Sequence, residues 1–394
     1  MADAHAPDYL EVLERLRLLP DVWPRPTPIW VPRRVREQVA AIFRACIDWA
    51  VLTAGAPPDT IEAEAAHRLL RVVPQLLLRR APGQSDVGDE DSPDKWSPGA
   101  LAVIRSRLRQ ARAADWISLV QDALDDLAAT APAPFEPPAV PVPRAHDPAA
   151  PLTAQSAQAA VLRARTGALR SAAAQLTGNL PVPPSDAAVD MVASLFPQPL
   201  DAAESAELDQ ALEAARSVDV QSCLRATPRL VGRQLHLLKP AAGPGPSGFR
   251  NSHILCLAAD PAGHFSLQAW ADVWAQGSIS PWLASLWSSA IARPFWKNSH
   301  QMAVRPILCG EALLKFAMGV CVLGAEKQIQ KIAGRSQFGI GNNPEQLVAQ
   351  VRAAAALRPH RALLSLDFKN AFGSVRWATP SNALPPLFPV LQFP

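Results

Sequence analysis

The chain has 394 residues, 49% of them hydrophobic, which is enough for two or three domains with buried cores. Its 40 prolines, about twice the usual proportion, indicate long unpacked stretches, and a net charge of +3 permits a nucleic-acid partner without requiring one. Five scattered cysteines without a Cys-x-x-Cys pair argue against a disulfide framework or zinc knuckle and favour an intracellular location, nucleus or cytoplasm.

Neither a signal peptide nor a membrane span is expected. Asp3, His5 and Asp8 stand where a signal peptide has basic residues and then an apolar core. No uninterrupted apolar run reaches the roughly 18 residues of a membrane-spanning helix. We therefore expect no membrane partner.

Residues 1–130 are predicted to form a helical region. Apolar residues recur at three-and-four spacing over 35–55, and a second helix is expected to start at Thr60 and end near Pro74. An acidic segment near 81–95, rich in Gly, Ser and Pro, is predicted to be a solvated linker, after which helical periodicity resumes over 100–130.

A proline-rich linker over residues 131–153 is the clearest predicted boundary. Its prolines favour extended polyproline conformation, which suits a spacer or the ligand of an SH3-like or WW-like partner. Residues 154–235 are predicted to be helical again. The arginines at 163, 165 and 170 form a basic stripe there, interpreted either as a solvated helix face or as a phosphate contact.

The segment from Lys239 to Arg250 contains the letters G-x-G-x-x-G at positions 243–248. Pro244 and Pro246 have no N–H to offer a pyrophosphate, and no hydrophobic strand leads into the loop. We therefore reject a dinucleotide-binding loop and predict a rigid Gly/Pro turn that presents Ser247 and Arg250.

Elements of both kinds are predicted downstream of this turn. Trp270, Trp274, Trp282 and Trp287 lie on two amphipathic helices split at 277–281, and they are interpreted as core residues rather than base-stacking platforms. Two short extended segments, 292–297 and 304–308, should flank a polar loop. Helices are predicted over 310–334 and from Pro344 to Leu357.

Near the end of the chain, an apolar strand-like run from Leu363 to Leu366 is followed directly by Asp367 and then by a turn-prone segment. A carboxylate at this point is either a metal ligand at a strand end or the cap of the following helix.

Five segments, taken in order, resemble the first half of the reverse transcriptase domain of non-LTR (LINE-like) retrotransposons. They are Gly245-Pro-Ser-Gly-Phe-Arg250, Arg293-Pro-Phe-Trp-Lys297, Val304-Arg-Pro-Ile307 with Gly310-Glu311, Gln337-Phe-Gly-Ile-Gly341, and Leu366-Asp-Phe-Lys-Asn-Ala-Phe-Gly-Ser-Val375. The resemblance covers about residues 161–377. It implies an α+β chain: a mostly helical N-terminal region, then a truncated reverse transcriptase fingers and palm domain at 236–377 and a proline-rich tail at 378–394.

The resemblance also implies roles for single residues. Asp367, with the main-chain carbonyl of Phe368, is expected to hold Mg²⁺ for two-metal nucleotidyl transfer. Lys297 and Arg305 are expected to bind the triphosphate of the incoming dNTP, and Phe372 to exclude a ribose 2′-hydroxyl. RNA template and DNA primer would be the macromolecular partners.

One part of the family pattern is missing from the sequence. The family completes its metal site with a Tyr/Phe-x-Asp-Asp hairpin, which does not occur in these 394 residues. We therefore expect a truncated element without polymerase activity of its own. The alternatives are a non-catalytic nucleic-acid-binding or helical scaffold protein derived from it, and a proline-rich adaptor without a nucleic-acid role.

Overall fold

The computed structural model describes residues 9–23, 27–57, 60–79, 96–129, 185–196, 224–240, 242–296, 304–333 and 344–357, with a few isolated positions between 202 and 210. In this part of the chain, helices dominate and a single pair of strands follows the tenth helix. The helices are α1 (Tyr9–Arg17), α2 (Arg36–Thr53), α3 (Ile61–Leu78), α4 (Pro98–Arg112), α5 (Trp116–Ala129), α6 (Asp186–Ala193), α7 (Pro228–Leu237), α8 (Asn251–Leu257), α9 (Pro261–Ala275), α10 (Pro281–Trp287), α11 (Ala312–Ala333) and α12 (Pro344–Leu357). The strands are β1 (Ala290–Trp296) and β2 (Val304–Gly310).

Two compact units contain these elements. The first comprises Met1–Val192 and Ala226–Val320, and the second comprises Ala193–Arg225 and Cys321–Pro394. In the second unit, Gly324 of α11 packs closely against the side chain of Leu224. A Cβ at position 324 would lie 2.5 Å from this side chain, so the glycine is needed for the close packing.

Helix α3 is the centre of the first unit. It packs against α1, α2, α4 and α5, and Leu69, Leu70 and Val73 are fully buried. The helix does not end near Pro74, as its sequence predicts, but continues to Leu78. Burial of the residues after Pro74 outweighs the roughly 3 kcal/mol cost of a proline inside a helix.

Three helices of this unit begin with the same local signal, a side-chain cap followed by proline. Ser97 accepts a hydrogen bond from the N–H of Ala100, Thr227 accepts one from Leu230, and Asp260 accepts one from Ala262. In each case the next residue is a proline, whose missing N–H is not needed in the first helical turn. Local chemistry therefore fixes the starts of α4, α7 and α9.

The tryptophans of α9 and α10 belong to the core, as predicted. Trp270 and Trp287 are fully buried with ring centroids 5.0 Å apart, and the indole of Trp270 donates to the carbonyl of Leu313 at 3.2 Å. Trp287 donates to Nδ1 of His67 at 3.0 Å, and Nε2 of His67 bonds the carbonyl of Ala50 at 3.0 Å. Both nitrogens of the neutral imidazole are thus satisfied, and burial lowers the pKa of His67 to about 4.

Much of the predicted secondary structure is confirmed. The helix expected over 35–55 is α2, the helices split at 277–281 are α9 and α10, and the two extended segments are β1 and β2. The described part of the chain is thus mostly helical with one two-stranded sheet, which agrees with the α+β class in its coarse sense. None of its helices is long and apolar enough to cross a membrane.

Several predicted features lie outside the described residues. They are the linkers at 81–95 and 131–153, the basic stripe at 163–170, the loop at 337–341, the strand ending at Asp367 and the tail at 378–394.

Candidate functional site

The hairpin of β1 and β2 is the structural element that carries the predicted triphosphate contacts. The strands are antiparallel, and Pro294 lies directly opposite Pro306. Because proline has no N–H, these two must form a non-hydrogen-bonded pair whose backbone groups point outward. Each outer edge of the hairpin therefore lacks one N–H donor, which discourages pairing with a further strand.

One face of the hairpin combines two cations with apolar side chains. Phe295 lies directly opposite Arg305, and Ile307 directly opposite Arg293. Paired residues and every second residue along a strand share a face, so all four lie on the same side. Both arginines are exposed, and Ile307 is 47% exposed. This face can therefore present positive charge and apolar surface to a ligand.

The opposite face of the hairpin makes a buried contact at Val304. Val304 of β2 is buried and packs with Ala188 of α6, and Met191 and Val192 cover this contact from the same helix. Helix α6 thus covers this face at Val304, while Leu308, farther along the same face, is 54% exposed.

The root of the hairpin is joined to the Gly/Pro turn at 243–250. Glu311, the residue after β2, is fully buried. Its carboxylate accepts two hydrogen bonds from Ser247, one from the backbone N–H at 3.0 Å and one from the hydroxyl at 2.5 Å. Two segments more than 60 residues apart in sequence are thereby locked together.

Two glycines make this close approach possible. A Cβ on Gly245 would lie 2.7 Å from the carbonyl oxygen of Gly310 and 2.8 Å from Glu311. Gly248 has a φ of +78°, and a Cβ there would lie 2.4 Å from Nε2 of Gln75. A side chain at either position would push the turn away from its neighbours.

A third element, helix α3, reaches the same carboxylate. Arg71 lies 3.4 Å from Glu311, and the same Arg71 nitrogen donates to the Ser289 hydroxyl at 3.2 Å. Burial raises the pKa of Glu311, while the Ser247 hydrogen bonds and the Arg71 charge oppose the shift. Because Glu311 is fully buried and joins the turn, α3 and the end of β2, this cluster positions the hairpin.

The turn also holds an extended segment from the N-terminal region, Thr27 to Ile29. Arg250 donates to the carbonyl of Thr27 at 2.7 Å, and Ser252 donates to the carbonyl of Ile29. Nε2 of His253 bonds the carbonyl of Pro28 at 3.2 Å, and burial lowers the pKa of His253 to about 3. Ser247 and Arg250, the two residues that the predicted turn presents, are buried and bonded inside the protein.

Of the residues with a predicted role in nucleotide or metal binding, the structure describes Arg305. Asp367, Phe368, Lys297 and Phe372 lie outside the described residues. Within the described ranges, no three His, Cys, Asp or Glu side chains are grouped to hold a metal ion.

Glu311 is unusual in the sequence, although the resemblance gave it no role. It is the first acid after 38 residues without Asp or Glu, and it directly follows the strand Val304–Gly310. An isolated acid inside such an uncharged or basic stretch indicates a specific partner. Its partner Arg71, 240 positions earlier in the chain, carried no comparable signal.

The comparisons with known proteins give no match. No family model matches the chain, and no characterised protein or solved structure is significantly similar to it.

Proposed function

We propose that the chain carries the fingers and the first palm motif of a non-LTR retrotransposon reverse transcriptase, an RNA-directed DNA polymerase. In this proposal residues 236–377 bind an RNA template, a DNA primer and a dNTP. The alternative is a non-catalytic nucleic-acid-binding or helical scaffold protein derived from such an enzyme.

The observation that supports the proposal best is the meeting of two segments of the resemblance. The turn at 245–250 and the strand at 304–311 are bonded through Ser247 and Glu311. The two segments therefore belong to one packed cluster, as parts of a single domain would. Glu311 directly follows the strand that carries Arg305, so the cluster lies at the root of the arginine-bearing hairpin.

The cations of the hairpin suit a triphosphate. Arg305 is exposed, shares its face with Arg293, and can donate to phosphate oxygens through a planar fork of N–H groups. In the proposal Lys297 supplies a second cation, and Phe372 disfavours a ribose 2′-hydroxyl.

The proposed metal ligands lie outside the described residues. Asp367 and the carbonyl of Phe368 would hold Mg²⁺, which prefers oxygen ligands and neutralises phosphate charge. One side-chain carboxylate is not enough for a two-metal site, and these 394 residues contain no Tyr/Phe-x-Asp-Asp sequence. We therefore propose that the chain by itself does not polymerise DNA.

Nucleotide binding by the whole chain tests the triphosphate site. A fluorescent dNTP analogue should bind, pyrophosphate and dNTP should compete with it, and Arg305→Ala or Lys297→Ala should weaken it about tenfold. Arg105→Ala removes an exposed arginine of α4 and is the matched control. Equal affinity of all four proteins, wild type included, would contradict the proposal.

A primer-extension assay tests the expected inactivity. With an RNA template, a DNA primer and Mg²⁺ or Mn²⁺, no dNTP incorporation is expected. Template-dependent incorporation that disappears with Asp367→Ala would disprove the inactivity and would establish the polymerase. Binding of RNA without any binding of dNTP would favour the scaffold alternative.

A further inference from the structure

The basic residues of helix α4 stand in a stretch of sequence without acids. Residues 95–114 contain one lysine, four arginines and no Asp or Glu, and all four arginines belong to α4. The flanking acids in the sequence are Asp94 and Asp115. A local excess of one sign of charge marks a candidate site for a polyanion.

The fold divides the four arginines of α4 into two groups. Arg107 is buried, and its guanidinium donates to the carbonyl of Arg79 at 2.5 Å and to Asp126 at 3.1 Å. The other three are exposed and form what we call the arginine stripe: Arg105, Arg109 and Arg112. In the described part of the chain, the side chains of the stripe have no hydrogen-bond or ion-pair partner. They are therefore available to a ligand.

The arginine stripe occupies one face of the helix. At about 100° per residue, positions i, i+4 and i+7 fall within about 60° of one another around the axis. With a rise of about 1.5 Å per residue, they extend over about 10 Å along it. The exposed residues beside the stripe, Ala102 and Ser106, are small.

Helix α5, which carries several aspartates, packs against a different flank of α4. Asp126 bonds Arg107, and Asp122 accepts from Gln110 at 3.2 Å. Arg107 and Gln110 are turned from each arginine of the stripe by about 100° or more around the helix axis. These carboxylates keep their charge, but the part of α4 that they bond is not the stripe.

The remaining acids of the neighbouring elements do not neutralise the stripe either. Five of them bond other residues: Asp48, Glu62, Glu64, Asp115 and Asp125. Glu37 of α2 is exposed. Among the described residues, no carboxylate oxygen lies within 4.0 Å of a nitrogen of the stripe. The stripe therefore presents its positive charge to solvent.

The composition of α4 discriminates between classes of polyanion. The helix exposes no large apolar residue, since Leu101, Ile104 and Leu108 are buried and Val103 is half-buried, whereas a helix lying in a membrane surface needs an exposed apolar face. It also contains no aromatic residue, and surfaces for single-stranded nucleic acids combine cations with aromatic platforms. Arginine matches phosphate oxygens with its planar fork of N–H groups. These features favour the phosphate backbone of a duplex.

We infer that the arginine stripe of α4 binds the phosphates of a nucleic-acid duplex. Over about 10 Å of its axis a duplex carries about six phosphates, enough for each of the three arginines to contact one. The small side chains of Ala102 and Ser106 let the helix approach the backbone closely. The contacts are to phosphates and not to bases, so binding does not depend on sequence. This inference goes beyond the proposed function, because it does not involve the hairpin of β1 and β2.

The experiment measures binding of the whole chain to a fluorescein-labelled DNA duplex of about 20 base pairs by fluorescence anisotropy, over a series of salt concentrations. The triple substitution Arg105→Ala/Arg109→Ala/Arg112→Ala should reduce the slope of log K against log salt by about 2.7, since each duplex phosphate contact contributes about 0.9. Arg105→Lys/Arg109→Lys/Arg112→Lys keeps the three charges and should retain the slope of the wild type.

A charge-matched control separates the stripe from net charge. Arg34→Ala/Arg225→Ala/Arg229→Ala removes three exposed arginines outside α4. Its slope should stay within about 0.9, the contribution of one phosphate contact, of the wild-type slope. All substituted side chains are exposed, and circular dichroism checks that each variant is folded.

Four results would overturn the inference. They are no duplex binding at low salt, a slope of the α4 alanine variant within about 0.9 of wild type, an equal loss of slope in the control, and a loss of slope in the lysine variant as large as in the alanine variant. Displacement of the duplex by poly-glutamate as effectively as by unlabelled duplex would indicate an acidic protein partner instead. Tighter binding of the single strand than of the duplex would overturn the choice of a duplex. None of these results bears on the proposed triphosphate site, which the dNTP assay tests separately.

Discussion

Replacing Glu311 by alanine should destabilise the protein and loosen the root of the hairpin. The substitution removes the acceptor of two Ser247 hydrogen bonds and the carboxylate 3.4 Å from Arg71, all inside the protein. Breaking a buried pair by removing one partner costs about 3–5 kcal/mol, and the buried Arg71 would keep the exposed Asp21, 4.0 Å away, as a weak counter-charge. We expect the free energy of unfolding to fall by about 4 kcal/mol.

Glu311→Gln should have a smaller effect. The amide oxygen can still accept from Ser247, and the shape of the side chain is retained, so a loss of about 1–2 kcal/mol is expected.

Two measurements check these values. Urea unfolding followed by circular dichroism gives the free energies, and hydrogen exchange of the peptides spanning 245–250 and 304–311 reports local loosening. Asp190→Ala, at an exposed position of α6, is the control and should stay within about 0.5 kcal/mol of wild type. A loss below about 1 kcal/mol for Glu311→Ala, or unchanged exchange in both peptides, would refute a positioning role for this carboxylate.

Two further predictions concern buried histidines and the turn. Burial lowers the pKa of His67 to about 4 and that of His253 to about 3, so between these values and 6.5 the unfolded chain binds protons that the folded chain does not. The free energy of unfolding should therefore fall on acidification, by about 1.4 kcal/mol per pH unit for each histidine. His67→Gln should reduce the slope of the unfolding free energy against pH by the contribution of one histidine. If NMR shows either ring titrating near pH 6.5, the expectation is wrong. Gly248→Ala should cost about 2 kcal/mol in urea unfolding, because φ is +78° and the new Cβ would meet Gln75, whereas Gly99→Ala, with open space around its Cβ, should not destabilise.

The parts of the fold that were predictable are those with local causes. The periodicity of α2 and the split between α9 and α10 follow from apolar spacing and from Gly277 and Pro281. The end of α3 was mispredicted because a local rule about Pro74 was outweighed by tertiary burial, which sequence spacing does not reveal.

In the candidate site, too, features with local causes were predictable and long-range contacts were not. The arginine on β2 and the tight turn at 243–250 were recognisable from residue types. The connection of these two elements through Glu311 and Arg71 was not recognisable from the sequence. Glu311 and Arg71 lie 240 positions apart, and only the folded chain brings them together. The partners of the turn were unpredictable for the same reason: Arg250 bonds Thr27, which lies 223 positions earlier in the chain.

The long-range bonds around the turn at 243–250 have a consequence for synthesis of the protein. Thr27 bonds Gly248, and Arg71 bonds Glu311, across 221 and 240 positions of sequence. At about 5–20 residues per second, helices α1 to α3 leave the ribosome some tens of seconds before residue 311 does. During that interval α3 can pack against α1, α2, α4 and α5, but Arg71 has no Glu311 and His67 no Trp287 to bond. The buried polar contacts of α3 can therefore form only after the hairpin region has been made.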